Sequence, residues 1–186
     1  MSAPTAAAAT RLPVGTWRSD PTHSSASFAV KHMGVATFRG RFEDLRAVLA
    51  VDDEGSGKLT GAVDAGSIAV KDEQLKGHLG SPDFFDIERY PELQFESSSI
   101  RRDGDEVLVE GDLTVKGQTH PVQAQGSITD PTVTFGDVVK IGLTLETVID
   151  RTKYGLNWNA PLPKGGVALG DDVKLVIELE LAEAGE

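Results

Sequence analysis

The chain has 186 residues, 29 acidic against 18 basic side chains, a net charge of −11 and no cysteine. That acidity argues against a nucleic-acid partner, which needs Lys and Arg to neutralise phosphates, and disfavours adsorption to an anionic bilayer. The missing cysteines exclude thiol catalysis, disulfides and thiolate metal sites.

No apolar run approaches the roughly 18 residues of a membrane-spanning helix, so stable membrane insertion is not expected. The N-terminal MSAPTAAAATRLPVG is Ala-rich but lacks the basic start and apolar centre of an export signal. Residues 1–12 read as a flexible tail ahead of one domain over 13–183. A cytoplasmic setting is expected, or an exported one if a leader had been removed.

Residues 17–20 form a short strand pattern closed by Asp20-Pro21. In 24–32, Ala26, Phe28, Val30 and His32 alternate with Ser25, Ser27 and Lys31, the period of a strand with one dry face. Met33-Gly34-Val35 turns the chain into 38–51. There Phe38, Gly40 and Phe42 share one parity and Leu45, Ala47, Leu49 and Val51 the other, which predicts a β-bulge near Glu43-Asp44. After a polar turn, 59–68 resumes as strand.

Residues 71–80 carry Leu75 and Leu79 four apart, acidic residues in the first turn and Gly80 as a stop, and predict a helix. The segment SPDFFDIERYPEL that follows reads as an ordered crossover packing Phe84, Phe85 and Tyr90 on the sheet. Strand patterns return at 93–101, 106–116, 119–129 and 137–149. Lys116-Gly117-Gln118 joins the middle pair as a hairpin. A long connection over 150–166 holds Tyr154 and Trp158, and 173–181 closes the chain with Val173, Leu175, Ile177, Leu179 and Leu181 on one face.

About eight long alternating strands and one short helix define an all-β chain that must hide its edges, in a closed barrel or in two stacked sheets. Long strands and a single helical insertion favour the barrel, and eight strands can enclose one small apolar ligand.

Candidate chemistry is sparse. No Gly-x-Ser-x-Gly elbow, GxGxxG, Walker or heptad pattern occurs. The four histidines, at 23, 32, 78 and 120, lack the spacing of a zinc site and read as polar caps at strand ends, so no metal is expected. Asp20, Asp83 and Asp86 lie beside turns, where Asp commonly bonds nearby backbone. The inward apolar set, Phe28, Val30, Phe38, Phe42, Phe95, Leu113, Val115, Ile141, Leu143 and Leu145, is interleaved with Ala26, Gly40, Ser97 and Ala124. Small residues among few large ones predict an under-filled interior that serves as a ligand site.

Several ordered motifs resemble one family. WRSDPTHSSASFAVKH at 17–32, then Gly40-Arg41-Phe42, HLGSPDFFDIERYPELQFES from 78, GDLTVKGQTHPV from 111, and the Trp158 region with GDDVKLVIELEL from 170 are similar to the YceI-like polyisoprenoid-binding proteins. The resemblance runs from about residue 15 to 181. It implies an eight-stranded antiparallel lipocalin-like barrel whose apolar tunnel takes an isoprenoid chain, with no catalytic activity and with dimers common. It also implies that Phe28, Val30, Phe38, Phe42, Phe84, Phe85 and Phe95 line or gate the tunnel. Leu113, Val115, Ile141 and Leu143 would support it, Trp158 would join them, and Asp20, His23, His32 and His78 would be polar groups at the mouth. A polyprenyl alcohol, polyprenyl phosphate or isoprenoid quinone is the expected cargo, with no other cofactor. The competing expectation is an enzyme that uses Asp20, His23 and His32 on an isoprenoid or quinone head group.

Overall fold

The computed structural model describes residues 11–185. In chain order the strands are β1 (Gly15–Ser19), β2 (Ser25–His32), β3 (Ala36–Phe42), β4 (Leu45–Val51), β5 (Gly57–Asp64) and β6 (Ile68–Ala69). Helix α1 (Glu73–Gly80) follows, then β7 (Glu92–Asp103), β8 (Glu106–Val115), β9 (Gln118–Ile128), β10 (Thr132–Val133), β11 (Val139–Asp150) and β12 (Leu169–Glu183).

Strands β11, β9, β8, β7, β5, β4, β1 and β12 pair in that order, and β12 pairs back onto β11, closing an eight-stranded antiparallel barrel. The pairs β1 and β2, β3 and β4, and β5 and β6 each behave as one long strand broken at a common height. Thus β2 continues β1 along β12, while β3 pairs with both β2 and β6.

The parity switch at Glu43-Asp44 is one of these breaks and not the expected bulge, because the extra residues lie on the neighbouring strands. The partner of Ala26 is Phe42, but the partner of Arg18 is Val48, so the β1–β2 side carries two extra residues across the bend. Side chains replace the lost ladder bonds. Ser24 Oγ accepts from Glu180 N at 3.1 Å, Ser67 Oγ accepts from Asp44 N at 3.0 Å, and Asp64 Oδ1 accepts from Gly66 N at 2.8 Å. Bends in adjacent strands let a sheet curl shut without orphaning buried backbone groups.

The β8–β9 hairpin turns on Lys116 and Gly117, both at positive φ (50° and 72°), as a two-residue primed turn requires. Helix α1 forms where expected, with Asp72 Oδ1 accepting from Leu75 N at 2.8 Å as its N-cap and Leu79 buried.

Inward side chains fall into two levels. At the floor, Trp17, Leu49, Val109, Ile128, Ile141 and Leu181 are 0–2% exposed and closely packed. At the other end, the equally inward Phe28, Phe95, Leu113, Leu175 and Ile177 are only half-buried, because they face open space. The expected tail falls mostly outside the described residues, but Leu12 does not belong to it: it is 4% exposed and packs in the core, over Gly57.

Candidate functional site

The open space is a cavity of about 340 Å³ in the upper barrel. An engineered apolar cavity of about 150 Å³ already stays dry and binds benzene, so this one is large enough for an organic ligand. Its lining on β12 runs from Leu169 to Leu179, roughly 25 Å along the axis once strand rise and tilt are applied.

The walls are held open by where the aromatic rings lie. Phe28 sits opposite Gly40, and its ring lies flat where a side chain at 40 would be: a Cβ there would come within 2.5 Å of Phe28 Cζ. Phe95, opposite Gly61, lies in the same way over Gly111. Rings laid on glycine face the lumen edgeless instead of crossing it. Phe38, Phe28, Phe42 and Phe85 form a descending ladder with centroid spacings of 6.1, 5.9 and 5.6 Å.

The top is roofed by α1, the crossover behind it and the 155–168 loop. Leu75, His78 and Leu79 of α1 face the cavity with Phe84 and Phe85. His78 packs edge-on against both Phe84 and Trp158 at 5.0 Å, and its Nε2 lies 3.1 Å from Asp83. Arg151 ties the loop down: it is 5% exposed and donates to the carbonyls of Leu156, Trp158 and Gly170. Burial pulls its pKa below the ordinary arginine value, against the opposing pull of Asp171 and Asp150. Lys116 Nζ bridges the carbonyls of Pro82 and Gly155, so both roof segments share one cation. Tyr154 is buried under His120 at 5.0 Å, and burial raises its phenol pKa.

Of the residues singled out in the sequence, Phe28, Val30, Phe38, Phe42, Phe84, Phe85, Phe95, Leu113, Val115, Trp158, His32 and His78 all border this cavity. Four do not. Ile141 and Leu143 have the inward parity but sit lower, opposite Leu181 and Leu179, and fill the floor. Asp20 and His23 are not at the mouth: they lie at the β1–β2 break on the outer face. There Lys140 Nζ reaches Asp20 Oδ2 (3.2 Å) and Glu180 Oε1, and His23 Nδ1 is 3.1 Å from Asp20 Oδ2.

The Asp20, His23 and His32 constellation is therefore not assembled. His32 is at the rim, nine residues from His23 along the chain, and a strand wall separates Asp20 from the lumen. Asp20, His23 and Glu180 do bring three possible metal-ligand atoms within 4.8 Å of one another, but the Lys140 ammonium already supplies the countercharge. Leu145, also in the inward set, borders the cavity as well, and residues that sequence reading passed over include Leu93, Ile149, Arg151, Tyr154, Leu175 and Ile177, all on the cavity.

The charged cluster makes an acid-sensitive brace. Hydrogen bonding from His23, the Thr22 N–H and Lys140 holds the Asp20 carboxyl far below the usual carboxylate range. A depressed pKa means that the folded state binds this proton less readily than the unfolded chain. The stability it contributes is present above about pH 4, the ordinary Asp value, and is lost as pH falls below it. The melting temperatures of the parent and of Asp20→Asn are expected to differ at pH 6 and converge towards pH 3. A gap that stays constant with pH would remove this account.

A closed barrel with a deep cavity walled mainly by apolar side chains defines the lipocalin-like class of architecture. The chain belongs to the YceI-like domain family, whose pattern it matches over residues 17–181. It is 34% identical over 169 residues to a UPF0312 protein of Staphylococcus aureus (strain bovine RF122 / ET3-1), covering 88% of this chain and 95% of that protein. Among solved structures it resembles BcnA of Burkholderia cenocepacia, with a TM-score of 0.74, 22% identity, and 87% and 98% coverage of the two chains. It also resembles a polyisoprenoid binding domain from Saccharophagus degradans, with a TM-score of 0.64, 13% identity, and 92% and 100% coverage.

Proposed function

We propose that this protein binds a long-chain isoprenoid lipid in the upper barrel and stores or carries it without chemical change. The observation that carries the reading is the size and lining of the cavity: deep and walled by hydrocarbon and aromatic rings. The resemblance to a Saccharophagus degradans domain described as polyisoprenoid binding supports the same chemistry.

Burial of one five-carbon isoprene unit is worth about 4 kcal/mol by the usual value per methylene, so the tail alone drives binding. His32, His78, Arg151 and Tyr154 cluster at the upper end. The polar head of a polyprenyl alcohol, polyprenyl phosphate or quinone therefore belongs there, and the tail belongs against Leu145, Leu175 and Ile177.

Native mass spectrometry of protein purified from its own host is expected to show an adduct of several hundred daltons. Organic extraction should release it as an unmodified isoprenoid. A bare mass that stays bare after incubation with polyprenol would overturn the proposal.

A further inference from the structure

The mouth of the barrel carries features that lipid storage alone does not require. The β2–β3 turn and the 161–167 loop stand side by side at the rim, joined by a 2.7 Å hydrogen bond from Met33 N to Ala168 O. The turn exposes Met33 (39%) and Val35 (86%), and the loop exposes Val167 (51%) at its base, with Lys164 at its tip. Met33 also borders the cavity, so the exposed patch reaches the lumen.

Beneath that turn, the outer face of the hairpin presents Lys31, Arg39 and Arg41, all exposed. Lys31 and Arg39 have no ion pair among the described residues, and Arg41 bonds only its neighbour Glu43.

The net charge of −11 is also unevenly spread. Four segments that carry most of the cavity lining, 26–42, 68–95, 113–122 and 145–177, hold eleven Lys or Arg against ten Asp or Glu. The described residues outside them hold seven against eighteen. Near an anionic surface such a body is repelled by its floor and not by its mouth. The overall charge that disfavours adsorption therefore becomes an orienting device.

Exposed apolar side chains flanked by basic ones are the composition of an element that seats at a bilayer interface. We propose that the protein docks mouth-first on a lipid bilayer through Val35 and Val167, with Lys31 and Arg39 against the head groups, and takes its lipid directly from the membrane. This rests on the lipid-carrier reading above. A soluble protein partner is the competing occupant. The bilayer is favoured because the patch is continuous with a lipid-sized cavity.

The test compares two sources of one fluorescent polyprenol: detergent micelles, and vesicles of phosphatidylcholine and phosphatidylglycerol at four to one. Val35→Asp combined with Val167→Asp should leave uptake from micelles unchanged and slow extraction from vesicles by roughly tenfold or more. Phe135→Asp is the control, because Phe135 is fully exposed on the loop between β10 and β11 at the floor end, and it should change neither.

Equal vesicle extraction by the double variant and the parent would overturn the docking while leaving the cavity reading intact. So would equal slowing by Phe135→Asp. Failure of the parent to take polyprenol from either source would overturn the carrier reading itself.

Discussion

Trp17→Ala is expected to lower the folding free energy by about 3–5 kcal/mol while leaving lipid uptake largely in place. The Trp17 ring is 2% exposed in the floor, beside Leu49, and its Nε1 donates to Pro13 O at 3.0 Å. Removing it opens a void among residues with no room to shift, because Leu181, Val109 and Ile128 around the same floor are 0–1% exposed. For a domain of this length the loss corresponds to a fall in melting temperature of roughly 10 °C. The cavity lies above that level and does not use Trp17. Thermal unfolding by circular dichroism and polyprenol retention by native mass spectrometry measure the two effects separately. A variant that kept its melting temperature would show that the floor is not the barrel's main packing unit.

That division of labour explains what was legible in the sequence. Strand parity tells inside from outside, so Phe28, Leu113, Ile141 and Leu143 were all correctly placed facing inward. Parity says nothing about height. Height depends on the register between strands, and only the pairing of Leu143 with Leu179 and of Ile141 with Leu181 sets those two in the floor. Leu175 and Ile177 had the same alternating signal on β12, yet nothing local showed that they, unlike Leu181, would face empty space.

Asp20 and His23 were assigned to the mouth by the family resemblance alone. Local sequence could not show that β2 carries on past the break along the same neighbour, β12, which leaves both on the wall. Arg151 gave a signal that sequence reading left unused. The 155–168 connection has almost no regular pairing of its own, so its carbonyls need donors from elsewhere, and a buried guanidinium provides several. The change of parity at Glu43-Asp44 and the helix after Asp72 were visible because both are written in adjacent residues, although the parity change proved to be a strand break and not a bulge.

The lumen, by contrast, should respond in binding and not in stability. Leu113→Trp introduces a large ring where the wall faces open space, so it costs little in packing but denies that volume to a ligand. Excluding one isoprene unit forfeits about 4 kcal/mol, so polyprenol affinity is expected to fall by roughly two to three orders of magnitude with a melting temperature close to the parent's. The glycines sharpen the test. In Gly40→Ala the nearest neighbours of the new methyl are atoms of the Phe28 ring, which can swing into the lumen, so affinity should fall with the fold intact. In Gly111→Ala the methyl meets the Glu96 carbonyl as well as Phe95, and a ladder carbonyl cannot step aside, so stability should fall by about 1–3 kcal/mol. Titration with fluorescent polyprenol alongside thermal melts resolves the three variants. If Leu113→Trp and Gly40→Ala each bound lipid as the parent does, the ligand would have to sit outside the barrel, since a lipid tail cannot share that space with an introduced indole in the one or a displaced Phe28 ring in the other.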